Sequence, residues 1–266
     1  MSTEFLKKKS LEIRRVILNT SFLCGEPAHI GGALSMVEIL TVLYFKVLNL
    51  NLKNPKDRFI LSKGHGFLGH LSTLYVKKII SKKILNSFQQ NGSEMIAHPI
   101  MNPRLGIETS NGSLGQGLSY GVGLSIANKI KNKKYKTYII LGDGECYEGS
   151  IWEAAITATE NNLDNLYVFI DANGYQNDGK IGNKMNIRDL ADKWKGFGWN
   201  VKKINGHNHN EILGSLKKTK KNVPTAIVCK TIKGKGIKLM ENNNDWHHGR
   251  ITKNIYNDCI QNLNEE

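Results

Sequence analysis

Two oxygen-bearing side chains follow two apolar runs at a spacing that one βαβ unit would produce. Residues 138–141 lead into Gly142-Asp143-Gly144-Glu145, and residues 166–170 lead into Asp171-Ala172-Asn173-Gly174. Asp143 and Asn173 lie 30 residues apart, about the length of a βαβ unit. Both then stand at the carboxyl ends of neighbouring parallel strands, where open α/β sheets bind ligands. A carboxylate and an amide oxygen on a glycine-lined rim are hard donors, suited to Mg²⁺ or Ca²⁺ carrying a diphosphate. Either motif alone reads as an ordinary turn. Their pairing, each behind an apolar strand, turns the reading toward a metal-diphosphate site.

The rest of the chain must position these groups. Residues 4–23 have helical spacing, with Leu11, Ile13, Val16, Ile17 and Leu18 available for burial. Residues 25–32 read as a loop, 35–48 as a largely buried helix, and 59–61 as a short strand leading into Ser62-Lys63-Gly64-His65-Gly66. A helix is expected over 68–80, and irregular chain over 91–108, which holds Pro99 and Pro103. The helix expected over 115–130 carries Gly115, Gly117, Ser119, Gly121, Gly123 and Ser125. Each glycine costs a helix about 1 kcal/mol, so this face is expected to meet a cofactor, another backbone or a subunit closely. A helix starting near Ser150 would be capped by Ser150-x-x-Glu153. Beyond Asn173 come a helix (187–197), a strand (199–204), a helix (211–218) and a strand (225–229). This alternation predicts an α/β fold, a mostly parallel sheet with helices on both faces. No linker or repeat divides the sequence, so residues 1–266 read as one domain.

The formal charge of +14 raises the question of nucleic acid. The lysines are scattered, however, and are not interleaved with the aromatics that stack bases. The positive field would instead favour phosphorylated sugars. No run of about 18 apolar residues is present to span a membrane. No apolar segment follows the basic N-terminus as in a secretion signal. Four widely spaced cysteines without a Cys-x-x-Cys pair suit a reducing cytoplasm.

Six ordered segments resemble transketolases. They are Ala28-His29-Ile30-Gly31-Gly32, Ser62-Lys63-Gly64-His65-Gly66, Ala97-His98-Pro99, the run from Gly106 to Gly117 around Asn111-Gly112-Ser113-Leu114, the run from Gly142 through Glu148 to Glu153, and Trp246-His247-His248-Gly249. The match is to the N-terminal, diphosphate-binding part of a transketolase, and the Ser-Lys-Gly-His form is closer to the split, two-subunit enzymes. The resemblance implies thiamine diphosphate with Mg²⁺ (or Ca²⁺), the metal held by side-chain oxygens of Asp143 and Asn173 and by the carbonyl of Tyr175. It implies cofactor contacts at His65, Gly112, Ser113, Leu114, Gly144, Glu145, Asn173 and His248, with Leu114 under the aminopyrimidine ring. His29, His65, His98 and His248 are implied catalytic residues, and an imidazole suits exchange of a proton with a sugar hydroxyl near neutral pH. Of the adjacent pair, His248 is chosen because it directly precedes Gly249. Glu148, with Glu153, resembles carboxylates that lie between the two cofactors of a dimer. His70, His207 and His209 are expected to be structural. Ser113 stands where proline is usual, and Pro27-Ala28 where Ser-Gly is usual; both departures bear on substrate rather than cofactor.

In that family a glutamate on a separate pyrimidine-binding domain hydrogen-bonds the cofactor ring. The sequence runs only 18 residues past His248, so the expected role is half of an active site. The resemblance implies the N-terminal subunit of a split transketolase that moves a two-carbon ketol unit from a ketose phosphate to an aldose phosphate. Its partner would be a C-terminal subunit carrying the pyrimidine domain, in a dimer of heterodimers. A 1-deoxyxylulose-5-phosphate synthase-like part fits the residues after Gly142-Asp143-Gly144 less well. A non-catalytic thiamine-diphosphate-binding module would not need four channel histidines. Pentose phosphate metabolism and specialised sugar biosynthesis remain open.

Overall fold

The computed structural model describes residues 2–50, 56–182 and 189–264. Apolar runs, buried on both sides at the centre, pair with a more polar edge strand, Asn200–Asn205, into one all-parallel sheet. Its strands are β1 (Arg58–Leu61), β2 (Thr137–Gly142), β3 (Leu166–Ala172), β6 (Asn200–Asn205) and β7 (Thr225–Lys230), in the order β1-β2-β3-β7-β6. A small antiparallel hairpin, β4 (Tyr175–Gln176) with β5 (Gly179–Lys180), follows β3. Alternate residues feed two cores. Phe59, Tyr138, Ile140, Tyr167, Phe169 and Ile227 face one side, and Ile60, Ile139, Leu141, Val168 and Ile170 face the other. A strand packed on both faces reads as continuous hydrophobic sequence, which is how β2 and β3 look.

The first core is covered by α1 (Thr3–Cys24), α2 (Ile30–Leu34), α3 (Val37–Val42), α4 (Phe67–Val76), α5 (Lys82–Asn86), α9 (His209–Ser215) and α10 (Lys253–Asn264). The second is covered by α6 (Gln116–Ile130), α7 (Gly149–Glu160) and α8 (Leu190–Gly196). Among the described residues, no helix is long and apolar enough to cross a membrane.

Several local expectations are corrected. The helix expected over 35–48 is α3 passing into a π-helical turn, Leu43–Val47, closed by Leu48 N–H donating to the Leu43 carbonyl at 2.8 Å. The helix expected to 80 ends at Val76, where the chain turns through Lys78 at φ 65°. Residues 25–32 are not all loop, because α2 begins at Ile30. The expected helix start at 187–188 lies outside the described residues. Ser150 and Glu153 do not form a capping box: Glu148 is the N-cap residue of α7, and the Ser150 hydroxyl donates to the Gly115 carbonyl at 3.2 Å. At Gly121 the small face of α6 meets the sheet, and at Gly117 it meets Ser62 just after β1. A Cβ on Gly121 would fall 2.3 Å from Ile139 Cδ1, and one on Gly117 would fall 2.5 Å from the Ser62 hydroxyl.

Candidate active site

The two rim turns leave β2 and β3 side by side. Asp143 heads a 3-10 turn, Gly144–Tyr147. Its Oδ1 accepts the Gly144 N–H at 2.9 Å, and its Oδ2 accepts the Gly174 N–H at 2.6 Å. Asn173 Oδ1 accepts the Tyr175 N–H at 3.0 Å. Burial pushes the Asp143 carboxyl up to about 7, and the Asp171 charge adds to this against the pull of the Gly174 N–H. A dry carboxylate of this kind is stabilised as an anion by a bound cation. Among the described residues, no cluster of three His, Cys, Asp or Glu forms a complete cage. The side-chain oxygens of Asp143 and Asn173 are donors that could hold a hard cation with open positions for ligand oxygens.

Beneath this rim Asp171, fully buried at the end of β3, gathers four donors. Lys63 Nζ and Ser35 Oγ both reach its Oδ2 at 2.5 Å, Asn173 Nδ2 reaches the same oxygen at 3.2 Å, and the Thr231 hydroxyl bonds Oδ1. Burial alone would raise its carboxyl, but the Lys63 ammonium and these hydrogen bonds hold it below the usual range. Because Asp171 takes the Asn173 NH₂, the amide oxygen is the end left for the rim. Glu145 also gathers donors, although burial keeps its carboxyl above the usual range. Its carboxylate accepts Ser62 Oγ at 2.5 Å, Gly115 N–H at 2.9 Å and Gly142 N–H at 3.0 Å. It therefore braces the rim from below while lining the cavity above.

The cavity over the rim measures about 520 Å³. Two lysines of very low exposure lie beside it. Lys63 pairs with Asp171 and also donates to the Gly32 carbonyl. Among the described residues Lys233 meets only neutral groups, Asn244 Oδ1 at 2.7 Å and His247 Nδ1 at 2.9 Å. Burial, with the Lys63 charge nearby, lowers its ammonium to about 8. A buried cation without a carboxylate partner suits an anionic ligand. Glycine is required at two joints. A Cβ on Gly64 would fall 1.8 Å from the Asn111 carbonyl oxygen, and one on Gly144 would crowd Gln176 Cβ at 3.1 Å.

Four loops bring histidines together around His29. Its ring centroid lies 4.5 Å from His248, 5.5 Å from His247 and 5.6 Å from both His65 and His98. The first and last of these loops are joined by a two-residue bridge, in which Ala28 and Gly249 exchange both backbone hydrogen bonds. Burial, followed by the neighbouring histidines, lowers His29 to about 3, and burial lowers His65 and His98 as well. His29 Nδ1 is buried with no hydrogen-bond partner among the described residues. Neutral imidazoles crowded at one end of a cavity can accept and return a proton at a ligand hydroxyl.

The expected site residues separate into two sets. His29, His65, His98, Gly112, Leu114, Asp143, Gly144, Glu145, Glu148, Asn173 and Tyr175 line the cavity. Ser113 does not line it. His248 is exposed and lines an adjoining shallow cleft, whereas His247 lines the cavity and stacks on His65 at 5.4 Å. Glu148 is exposed at the open side, and Glu153 is exposed on α7. His70 is buried in α4 against the Tyr44 hydroxyl at 2.5 Å, as a structural residue should be. The sequence reading missed Lys63, Lys233, Asp171, Gln176 and His247. Lys63 sat in a quoted motif, and Asp171 lies two residues before Asn173, where alternation puts both on one side of β3.

Known proteins resemble this chain along nearly its whole length. The sequence profile described as transketolase, thiamine diphosphate binding domain, matches residues 7–261. The chain belongs to the transketolase family. It is 36% identical over 272 residues to an apulose-4-phosphate transketolase subunit of Phocaeicola vulgatus, covering 100% of this chain and 96% of that protein. It is 36% identical over 244 residues to the 6-deoxy-6-sulfo-D-fructose transketolase subunit SqwG of a Clostridium species, covering 90% and 89%. The transketolase of Campylobacter jejuni superposes with a TM-score of 0.87 at 28% identity, over 99% of this chain but 43% of that one. In length and coverage the chain therefore corresponds to the first subunit of a split transketolase.

Proposed function

We propose that this transketolase chain supplies the diphosphate-binding half of a thiamine-diphosphate-dependent active site. A separate C-terminal subunit carrying the pyrimidine domain would complete it, in a cytoplasmic dimer of heterodimers. The observation that carries the reading is one cavity with an oxygen rim and a cluster of histidines, beside which a buried lysine meets, among the described residues, only neutral groups. Asp143, Asn173 and the Tyr175 carbonyl would hold Mg²⁺, and Lys233 and the Gly144 N–H would face the diphosphate. Gly112 and Leu114 would bound the ring end. The cofactor supplies the carbanion chemistry of ketol transfer.

The chain's own residues then orient and protonate. His29, His65, His98 and His247 surround the space a sugar hydroxyl would enter, and imidazoles held neutral accept its proton and return it. His248, beside His29 at the cavity edge, is placed to meet the more distal part of the sugar. Glu148, at the open side, would face the partner subunit. The substrates are a ketose phosphate donor and an aldose phosphate acceptor, in central or specialised sugar metabolism. A coupled ketol-transfer assay tests the reading, with the chain alone, with a pyrimidine-domain subunit, and with Mg²⁺ removed. Activity should require both chains and the metal. Full activity from the isolated chain would overturn it.

A further inference from the structure

A buried network outside the cavity lining ends on the backbone that carries Lys233. Arg14 of α1 and Glu38 of α3 form a bidentate ion pair at 2.6 and 3.0 Å, each side chain 6% exposed. His207, in the loop before α9, places Nδ1 2.8 Å from Glu38 Oε2. Its Nε2 accepts the Ile232 N–H at 2.9 Å, so Nδ1 carries the proton and donates it to Glu38. Arg14 Nε–H donates to the Lys235 carbonyl at 2.9 Å. Gly236, at φ 90°, makes room for this, since a Cβ there would fall 2.6 Å from Arg14 Nε. The chain is thus gripped one residue before Lys233 and two residues after it.

We propose that Arg14, Glu38 and His207 are positioning residues for Lys233, an inference that rests on Lys233 facing the diphosphate. A lysine head on four flexible carbons is placed by its backbone and its local partners. Asn244 and His247 are neutral and make single contacts, so the aim of Lys233 depends on where residues 232–235 are held. A buried ion pair adds little net stability compared with apolar packing of the same shape. What the network supplies is a fixed geometry, because each hydrogen bond has one direction. His207, expected from the sequence to be structural, is thereby the link between Glu38 and the backbone of Ile232.

A double-mutant cycle tests this on the full chain, with inorganic pyrophosphate and Mg²⁺ as the calorimetric probe and thermal unfolding as the control. Lys233→Met should weaken pyrophosphate binding about tenfold or more, and His207→Ala about 3- to 10-fold. The double variant should bind no more weakly than Lys233→Met alone. His207→Gln keeps an acceptor near the Nε2 position and should restore binding. Arg14→Lys keeps the charge beside Glu38 but loses the Nε–H to Lys235, so it should weaken binding in the same range even if His207→Ala fails to fold. Effects of His207 and Lys233 that multiply in the double variant would overturn the positioning role while leaving Lys233 at the diphosphate. Unchanged binding in Lys233→Met would overturn that assignment, and the network's role with it.

Discussion

Asp143 Oδ2 accepts the Gly174 N–H at 2.6 Å, so the turn after β2 and the turn after β3 are fastened to each other by one bond. The same carboxylate is the proposed metal ligand. One side chain therefore contributes both to the geometry of the rim and to its charge.

Asp143→Ala should abolish Mg²⁺-dependent binding of thiamine diphosphate while the sheet still forms. Two backbone N–H groups lose an ionic acceptor, which costs about 1–3 kcal/mol each where no water replaces it. Calorimetry of the assembled complex, with and without Mg²⁺, gives the affinity. Unchanged binding in the variant would remove Asp143 from the site.

Asp171→Asn should act on the metal indirectly. The Asn173 amide loses the carboxylate that fixes its orientation, and changes of this kind typically cost about 10- to 100-fold in metal affinity. Lys63 is also left buried without its counter-charge, a loss of about 3–5 kcal/mol. A lower melting temperature together with weaker Mg²⁺ dependence is expected. A variant that loses stability but binds Mg²⁺ normally would separate the two roles.

His29→Ala should lower turnover by roughly 10²–10⁴-fold, the usual range for lost acid–base help, with cofactor affinity nearly intact. His70→Ala should leave turnover close to that of the unaltered complex. Equal losses at the two positions would mean that the histidine cluster has no special part in the reaction.

His70 should instead be felt in acid stability. Burial holds its folded-state value near 3, against 6.5 for an exposed imidazole. Below pH 6.5 the unfolded chain takes up a proton that the folded chain refuses, so stability is full above 6.5 and falls as the pH drops toward 3. The slope is about 1.4 kcal/mol per pH unit for one group. His70→Phe should lose the Tyr44 contact at pH 7.5 yet lose less on acidification. Between pH 6.5 and 5 the difference between the two proteins should move by about 2 kcal/mol in the variant's favour, measured by urea unfolding.

Gly121→Leu should destabilise the domain itself, beyond any effect on assembly. The added side chain meets Ile139 and Ile60 on the sheet, and overpacking of this kind costs about 1–3 kcal/mol or more. A lowered urea midpoint for the isolated chain checks this.

The strands were legible because both faces of β2 and β3 are buried, which makes their sequences continuously apolar. The site loops were legible where histidine, aspartate or asparagine sits beside glycine. Lys233 was not, because a lysine in Lys230-Thr231-Ile232-Lys233-Gly234-Lys235 looks like any surface lysine until the fold buries it. His247 and His248 differ in sequence only by the glycine after the second, and the chain's turn at Trp246 decides which ring enters the cavity. The α10 helix had a readable signal in Ile255, Tyr256, Cys259, Ile260 and Leu263, one face at helical spacing. The Ser150 cap was misread because a tertiary partner, Gly115, takes the hydroxyl that a local rule assigns to the helix.

The bridge between Ala28 and Gly249 sets a schedule. His29 is synthesised long before His248, and the backbone pairing that brings them together cannot form until both have left the ribosome. All the strands of the sheet precede that pairing, so a chain halted after β7 would lack His247 and His248 and with them a finished ring of imidazoles. Ketol transfer would thus begin only once translation has passed Gly249.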